Sequence, residues 1–267
     1  MPEAIICFDL DGTLLDKNEM IHPADIEILK TKHDVVFMPC TGRPLVSVVS
    51  MFHHNGLFEN ENIPFPMVTQ NGSATHLPDR GIYKYHYFEK QVQDRLVEIF
   101  NDIPQTSFMW MTRHETFLQW PNDFSTHWMK RFFLEWERFD GGTPSSIEFG
   151  KATCLTNDPV LIAELTGVLK NEPVEIGLSL SSVFDINPGG ITKRTGVEEL
   201  VQYLKLPEAP IYVAGDGEND LDLFTLGTVS FAPATSPEHI RKQAGRTIDR
   251  SKNGILTSML EEAGVLV

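Results

Sequence analysis

The apolar run Ile5-Ile6-Cys7-Phe8, broken by Asp9-Leu10-Asp11-Gly12-Thr13, limits the possible folds more than any other part of the chain. The run is long enough for one buried strand, and a glycine turn ends it. Side chains at i and i+2 of an extended segment leave the same face. Asp9 and Asp11 are therefore expected close together where that strand stops. Two neighbouring carboxylates repel and lose hydration unless a cation joins them or one is protonated. A polar strand exit into a Gly-Thr turn would read the same in isolation, so the rest of the chain has to decide.

Apolar β-rich segments alternate with helical ones on both sides of a different central stretch. A helix is expected over Pro23–Lys32, a strand over Asp34–Cys40, a helix over Leu45–Phe52 and a strand over Pro66–Gln70. Near the C-terminus, strands are expected at Pro210–Ala214 and Thr228–Ala232 with a helix between them. This alternation predicts an α/β fold with a parallel sheet and crossover helices. Strands stop at Asp9-Leu10-Asp11-Gly12, Thr41-Gly42-Arg43-Pro44 and Gly215-Asp216-Gly217-Glu218-Asn219-Asp220, and in open α/β sheets ligands bind at the carboxyl ends of strands. Between residues 82 and 185 the pattern changes to strands at Ile82–Phe88, Thr106–Thr112, Thr116–Trp120, Ile147–Leu155 and Val174–Phe184. Helices over Lys90–Asn101, Phe124–Phe139 and Pro159–Lys170 separate them, and all four tryptophans fall in this stretch. The architecture expected is a core from residues 1–81 and 186–267 carrying an inserted α+β cap, residues 82–185. The connections Pro78-Asp79-Arg80-Gly81 and Asn187-Pro188-Gly189-Gly190 suit hinges.

Composition narrows the function classes. The 267 residues are 41% hydrophobic and 22% charged, with a formal net charge of −15. That charge argues against a nucleic-acid partner, which needs a basic face. It also repels anionic substrates, so an enzyme handling phosphates on this chain needs a local cation. Paired carboxylates are suited to hold Mg2+, which prefers oxygen ligands. No apolar run approaches the roughly 20 residues that span a bilayer, and acidic residues come too early for a signal peptide. Cys7, Cys40 and Cys154 lack a CxxC spacing, which fits reduced thiols and a cytoplasmic location.

FDLDGTLLD, CTGRP, ITKRTG and GDGENDLDLF, in that order, resemble the four motifs of the haloacid dehalogenase superfamily. The insertion after the third strand is similar to that of its Cof-type, or IIB, branch, whose Rossmann-like core carries an α/β cap of the C2B type. The resemblance implies a Mg2+-dependent phosphatase of small phosphorylated metabolites, plausible among them sugar phosphates. Asp9 would be the nucleophile, forming an aspartyl phosphate. Asp11 would protonate the leaving oxygen and then deprotonate the attacking water. Thr41, Gly42 and Lys193 would bind the phosphate. The metal would be held by Asp9, Asp216 and, through its backbone carbonyl, Asp11. Asn219 and Asp220 would hold waters or orient the site. Thr41 could equally be a helix N-cap, and Lys193 alone would read as a surface lysine.

Three further expectations concern single residues. Arg194, where the branch often has glycine, is expected to point to solvent, Cys40 to be a buried apolar thiol, and His53-His54 to have surface or packing roles. The stripe Phe124, Trp128, Phe132, Trp136 is expected on one helix as core. Arg113-His114-Glu115 is expected in a hairpin turn whose tip leans over the active site. Two rival functions remain open: a phosphomutase and a non-catalytic regulator that kept the fold. About 27 residues separate Thr13 from Thr41, too few for the large cap many mutases carry there. A monomer or small homo-oligomer is expected.

Overall fold

A computed structural model describes residues 2–59, 63–78, 81–142, 147–180 and 183–265. β1 (Ile5–Phe8), α1 (Pro23–Thr31), β2 (Val36–Pro39) and α2 (Leu45–His54) follow the alternation expected from the sequence. Pro23 opens α1, where its missing N–H is no loss, and the His22 ring accepts from the Ala24 N–H. β3 (Met67–Thr69), β4 (Ala74–Leu77) and β5 (Gly81–Tyr85) form a three-stranded antiparallel sheet. A parallel bridge between Cys40 and Val68 joins it to the end of β2. The return through β4 was not legible in the sequence. It is made by Gln70, Asn71 and Gly72, all with positive φ (52°, 54° and 106°). Gly72 is required there, because a Cβ would come within 2.1 Å of the Thr192 carbonyl oxygen. Of the first connection, Asp79 and Arg80 lie outside the described residues.

The middle of the chain contributes α3 (Lys90–Asn101), β6 (Ser107–Met111), β7 (Thr116–Gln119), α4 (Asp123–Arg131), β8 (Glu137–Phe139), β9 (Lys151–Leu155), α5 (Pro159–Leu169), β10 (Val174–Leu180) and β11 (Val183–Pro188). Its six-stranded sheet has the order β10-β11-β9-β6-β7-β8. The two-residue period of strands sorts its side chains. Phe108 and Trp110 of β6 pack with Leu96 and Phe100 of α3 and Leu161 and Leu165 of α5. Met109 and Met111 leave the opposite face and pack with Met129, Phe132 and Leu134.

α4 is shorter than expected. The helix read over Phe124–Phe139 ends at Arg131, and the chain re-enters the sheet as β8. Phe132-Phe133-Leu134 explains the break: at 100° per residue, three successive apolar side chains on a helix cannot share one buried face. Phe133 instead takes φ 55° and stays exposed, while Phe132 and Leu134 are both buried. Trp136 therefore lies off the helix and is exposed.

The last third supplies α6 (Lys193–Leu204), β12 (Ile211–Ala214), α7 (Leu221–Phe224), β13 (Val229–Pro233), α8 (Glu238–Arg241), β14 (Arg246–Ile248), α9 (Arg250–Asn253) and α10 (Ile255–Ala263). A five-stranded parallel sheet runs β14-β13-β12-β1-β2. β1 is buried on both faces, as parallel strands under two helical layers are. Ile6 and Phe8 pack with Phe52 of α2 and Met259 of α10. Ile5 and Cys7 pack with Val197 and Leu200 of α6. The fold is an α/β core built on one parallel sheet with helices on both faces, carrying an added cap.

One buried histidine makes this fold sensitive to acid. His76 on β4 is 1% exposed, with Nε2 2.8 Å from Thr69 Oγ1. Burial, with Arg113 nearby, lowers its pKa to about 4. The folded state therefore favours neutral His76, so stability is intact above the unfolded pKa and falls as pH drops from about 6.5 towards 4. At 1.36 kcal/mol per unit, the loss by pH 4.5 is on the order of 2–3 kcal/mol. Urea unfolding at pH 7 and 4.5 should show this loss in the wild type and much less of it in His76→Gln. Equal pH dependence in both proteins would exclude His76 as the cause.

Candidate active site

The register of the core sheet brings the sequence motifs together. Phe8 lies opposite Ala214 on β12 and Pro39 on β2. The residues that follow each of these (Asp9, Gly215-Asp216 and Cys40-Thr41) consequently leave the sheet side by side at its carboxyl edge. The Asp9 N–H donates to Ala214 O at 3.0 Å and the Cys40 N–H to Phe8 O at 2.8 Å, which fixes the level of both loops.

Carboxylate oxygens of Asp9, Asp216 and Asp220 lie within 4.8 Å of one another. Lys193 is the first residue of α6, whose start is held by a capping box between Thr192 and Thr195. The residue is 1% exposed, and its Nζ donates to Asp9 Oδ1 and Asp220 Oδ1, both at 2.7 Å. Burial opposes its charge, but Asp220 and Asp9 outweigh that and push its pKa up. Asp220 also accepts from the Asp216 and Gly217 N–H groups at 3.0 Å, which folds the loop back on itself. Gly12, with φ 80°, is needed where the first loop meets this one: a Cβ would stand 2.1 Å from Asp216 Oδ2.

The charges in this cluster do not balance. Burial first, then the neighbouring acids, push the Asp9 carboxyl well above its ordinary range, against the pull of Lys193. Burial and the Asp220 charge likewise raise Asp216 to about 7. One ammonium among three carboxylates leaves net negative charge on hard oxygen donors at the mouth of the loops. That donor set fits a divalent cation such as Mg2+. Asp9 and Asp216 would hold it, with Asp220 already engaged by Lys193 and the loop N–H groups.

Asp11 is placed differently from Asp9. Its carboxylate is gripped from two sides by Arg43, through Nε at 2.7 Å and a terminal nitrogen at 2.5 Å. Arg43 is itself buried, lies 3.7 Å from Glu19 and stacks 4.4 Å from the Phe132 ring centroid. The sequence reading gave Arg43 no role; a fixed planar fork on a carboxylate is what its position after Thr41-Gly42 provides. Thr41 is buried, and its hydroxyl accepts from the Arg43 N–H at 3.1 Å. It does not cap α2, which begins after Pro44. The Gly42 carbonyl accepts from Lys151 Nζ at 3.0 Å. Asn219 donates to Asn71 at 3.2 Å and lines the cleft.

Lys151 and Asp185 are the other site residues missed at the sequence level. They sit on β9 and β11, 2.9 Å apart and almost fully buried. Asp185 also accepts from Thr153 Oγ1 at 2.7 Å and Asn71 at 2.8 Å. The signal was present: each is the lone charge of its strand, and the signs are opposite. Two expectations for the cap are corrected. Trp128 and Phe132 are not core alone; they line the same cleft as Asp9 and Asp11. Arg113, His114 and Glu115 do form the turn after β6, but it lies against Thr69, His76 and Ile82 in a separate cleft. The tip of that hairpin packs on the small antiparallel sheet because Tyr85 and Gln70 tie the two together: the Tyr85 hydroxyl bonds Gln70 at 2.8 Å and Met111 O at 3.2 Å. Arg194 lies at the surface, paired with Glu198 at 2.9 Å. Cys40 is buried, and its thiol pKa is pushed up by burial and by Cys7. His54 stands beside the Phe133 ring.

The model of the family described as haloacid dehalogenase-like hydrolase matches residues 6–259. A curated relative, 5-amino-6-(5-phospho-D-ribitylamino)uracil phosphatase YwtE of Bacillus subtilis (strain 168), is 22% identical, with 94% of each chain covered. Among solved structures, the HAD subclass IIB sugar phosphatase BT4131 superposes with a TM-score of 0.83 at 18% identity, covering 98% of this chain and 100% of that one. TM0651 from Thermotoga maritima gives 0.79 at 20% identity, covering 98% and 97%. With the match running through nearly the whole chain, this protein belongs to the haloacid dehalogenase-like hydrolases.

Proposed function

We propose that this protein is a Mg2+-dependent phosphatase of small phosphorylated metabolites that works through an aspartyl phosphate on Asp9. The observation that carries the reading is the cluster of Asp9, Asp216 and Asp220 around a single buried lysine. When bound, Mg2+ supplies the positive charge that lets an anionic carboxylate approach a phosphate dianion. Asp9 attacks phosphorus, the ester P–O bond breaks, and the leaving oxygen takes a proton from Asp11. Asp11 then removes a proton from the water that attacks the Asp9-bound phosphorus, which regenerates the Asp9 carboxylate and releases inorganic phosphate. Lys193 stays charged between Asp9 and Asp220 and neutralises oxygens of the transferring group. Thr41 and Gly42 seat the phosphate; Arg43 pairs with Asp11 in its carboxylate form, so Asp11 leaves this pair when it carries the proton for the leaving oxygen.

In this reading residues 1–81 and 186–267 are the core and residues 82–185 the cap that keeps bulk water from the phosphoenzyme. Sugar phosphates are one substrate class implied by the family resemblance, and the subclass IIB relative is named a sugar phosphatase. The three free cysteines that are all buried, and the strongly negative charge, support a cytoplasmic enzyme without a nucleic-acid partner.

The test is phosphate release from a panel of phosphomonoesters with Mg2+ present. Release should stop in excess chelator and return when Mg2+ is restored. Undiminished release in chelator, with no metal found by elemental analysis, would overturn the metal-dependent mechanism. Conversion of a hexose 1-phosphate to its 6-phosphate without free phosphate would assign a phosphomutase instead.

A further inference from the structure

Four charged side chains alternate in sign from the reacting centre to the cap. Asp11 accepts from Arg43, Arg43 faces Glu19, and Glu19 accepts from Arg131 at the end of α4. One Arg43 nitrogen, Nη2, is shared: it stands 2.5 Å from Asp11 Oδ1 and 3.7 Å from Glu19 Oε2. The other Glu19 oxygen, Oε1, accepts from Arg131 Nε at 2.6 Å. Glu19 therefore turns one oxygen to the core and one to the cap. Both guanidiniums lie over the Phe132 ring, 4.4 Å and 5.4 Å from its centroid, so the same cap residue packs the two arginines.

The loop that carries Glu19 is built to hold it there. Glu19 takes φ 61°, in the left-handed region that side chains larger than glycine rarely enter. The Glu19 N–H closes the turn on Asp16 O at 3.0 Å, and the Asn18 and Met20 N–H groups donate to Asp16 Oδ1 at 2.8 and 2.9 Å. Asn55, buried just past α2, donates to the Glu19 carbonyl at 3.1 Å. Backbone strain held by several independent bonds collects at functional positions.

The need for Glu19 comes from Arg43. The Arg43 guanidinium is buried, and a buried charge that loses its partner is strongly destabilised unless another takes its place. In the phosphatase reading Asp11 leaves Arg43 for the leaving oxygen. Glu19 is the carboxylate already beside the nitrogen that Asp11 gives up. Its side chain is 18% exposed, and without the Arg131 bond it would be free to turn to water.

We propose that Glu19 is a positioning residue that takes over Arg43 when Asp11 turns to the leaving oxygen, and that Arg131 ties this exchange to a docked cap. The proposal deepens the phosphatase reading and rests on it. Glu19 touches no reacting atom; it acts by giving Arg43 a second anion, which sets Asp11 free.

The first test compares p-nitrophenyl phosphate, whose leaving oxygen departs without a proton, with ethyl phosphate, whose leaving oxygen needs one. Glu19→Gln should lower kcat/KM with Mg2+ by roughly 10- to 100-fold for the ethyl ester and by less than about 3-fold for the nitrophenyl ester. Arg131→Gln should lose activity in the same pattern. The double variant should be no worse than Glu19→Gln, because Arg131 acts through Glu19. Equal losses on both esters, no loss at all, or losses that add would overturn the proposal and leave the phosphatase reading intact.

The second test needs no turnover. In Asp11→Asn the Arg43 guanidinium already lacks its first carboxylate, so adding Glu19→Gln should shift the urea midpoint about twice as far as it does in the wild type. Equal shifts in the two backgrounds would overturn the proposal. Failure to release phosphate from any ester would remove the phosphatase reading, and the unfolding cycle would still decide whether Glu19 takes Arg43.

Discussion

Asp9→Asn is expected to lower turnover of every phosphomonoester by a factor on the order of 10⁴ or more, as removal of a covalent nucleophile does. The substitution keeps the shape of the side chain but not a carboxylate able to form the acyl phosphate. The fold should survive, because the Asp9 backbone is held in the sheet by Ala214 and Lys193 keeps Asp220 as a partner. The measurement is steady-state phosphate release, with a urea midpoint taken alongside to confirm folding. If the variant kept a tenth of wild-type turnover, Asp9 could not be the nucleophile.

Lys193→Met should be costly in two ways. The lysine is buried between two acids, and Asp220 is fully buried. Taking away one partner of a buried ion pair costs about 3–5 kcal/mol, because the other charge stays behind unpaired. The Asp9 carboxyl, already raised by burial, would lose the pull of Lys193 and titrate higher still in the folded state. Stability from such groups is complete below the unfolded pKa and lost as pH rises through the folded one, so the deficit at pH 7 should shrink by pH 5. Added Mg2+ should also reduce it, since a ligand that binds only the folded state stabilises it. Turnover should fall by roughly 10²–10³, the effect of removing one fixed charge-stabilising donor. Denaturant unfolding across pH, with and without Mg2+, checks the first part; a variant as stable as the wild type at pH 7 would show that Lys193 does not neutralise the acid cluster.

The local chemistry of the chain determined the alternation of strands and helices and the loops in which the acids stand. β1 could be read because Ile5–Phe8 is apolar at both parities and stops at Asp9. α3 could be read to its last residue because Val92, Leu96, Val97 and Phe100 repeat at helical spacing. Lys193 had no local signal of burial; it became legible only through its order among the other motifs.

The tertiary structure decided which partner each charge found. Asp9 and Asp11 look alike in sequence, yet one faces Lys193 across the sheet from α6 and the other is gripped by Arg43 from the loop after β2. Lys151 and Asp185 are 34 residues apart, and only the antiparallel pairing of β9 with β11 puts them on one face. The length of α4 was decided in the same way. Helical periodicity cannot tell a core stripe from a wall of the active site, because both are apolar. What distinguishes them is the surface they meet, and that surface comes from the other end of the chain.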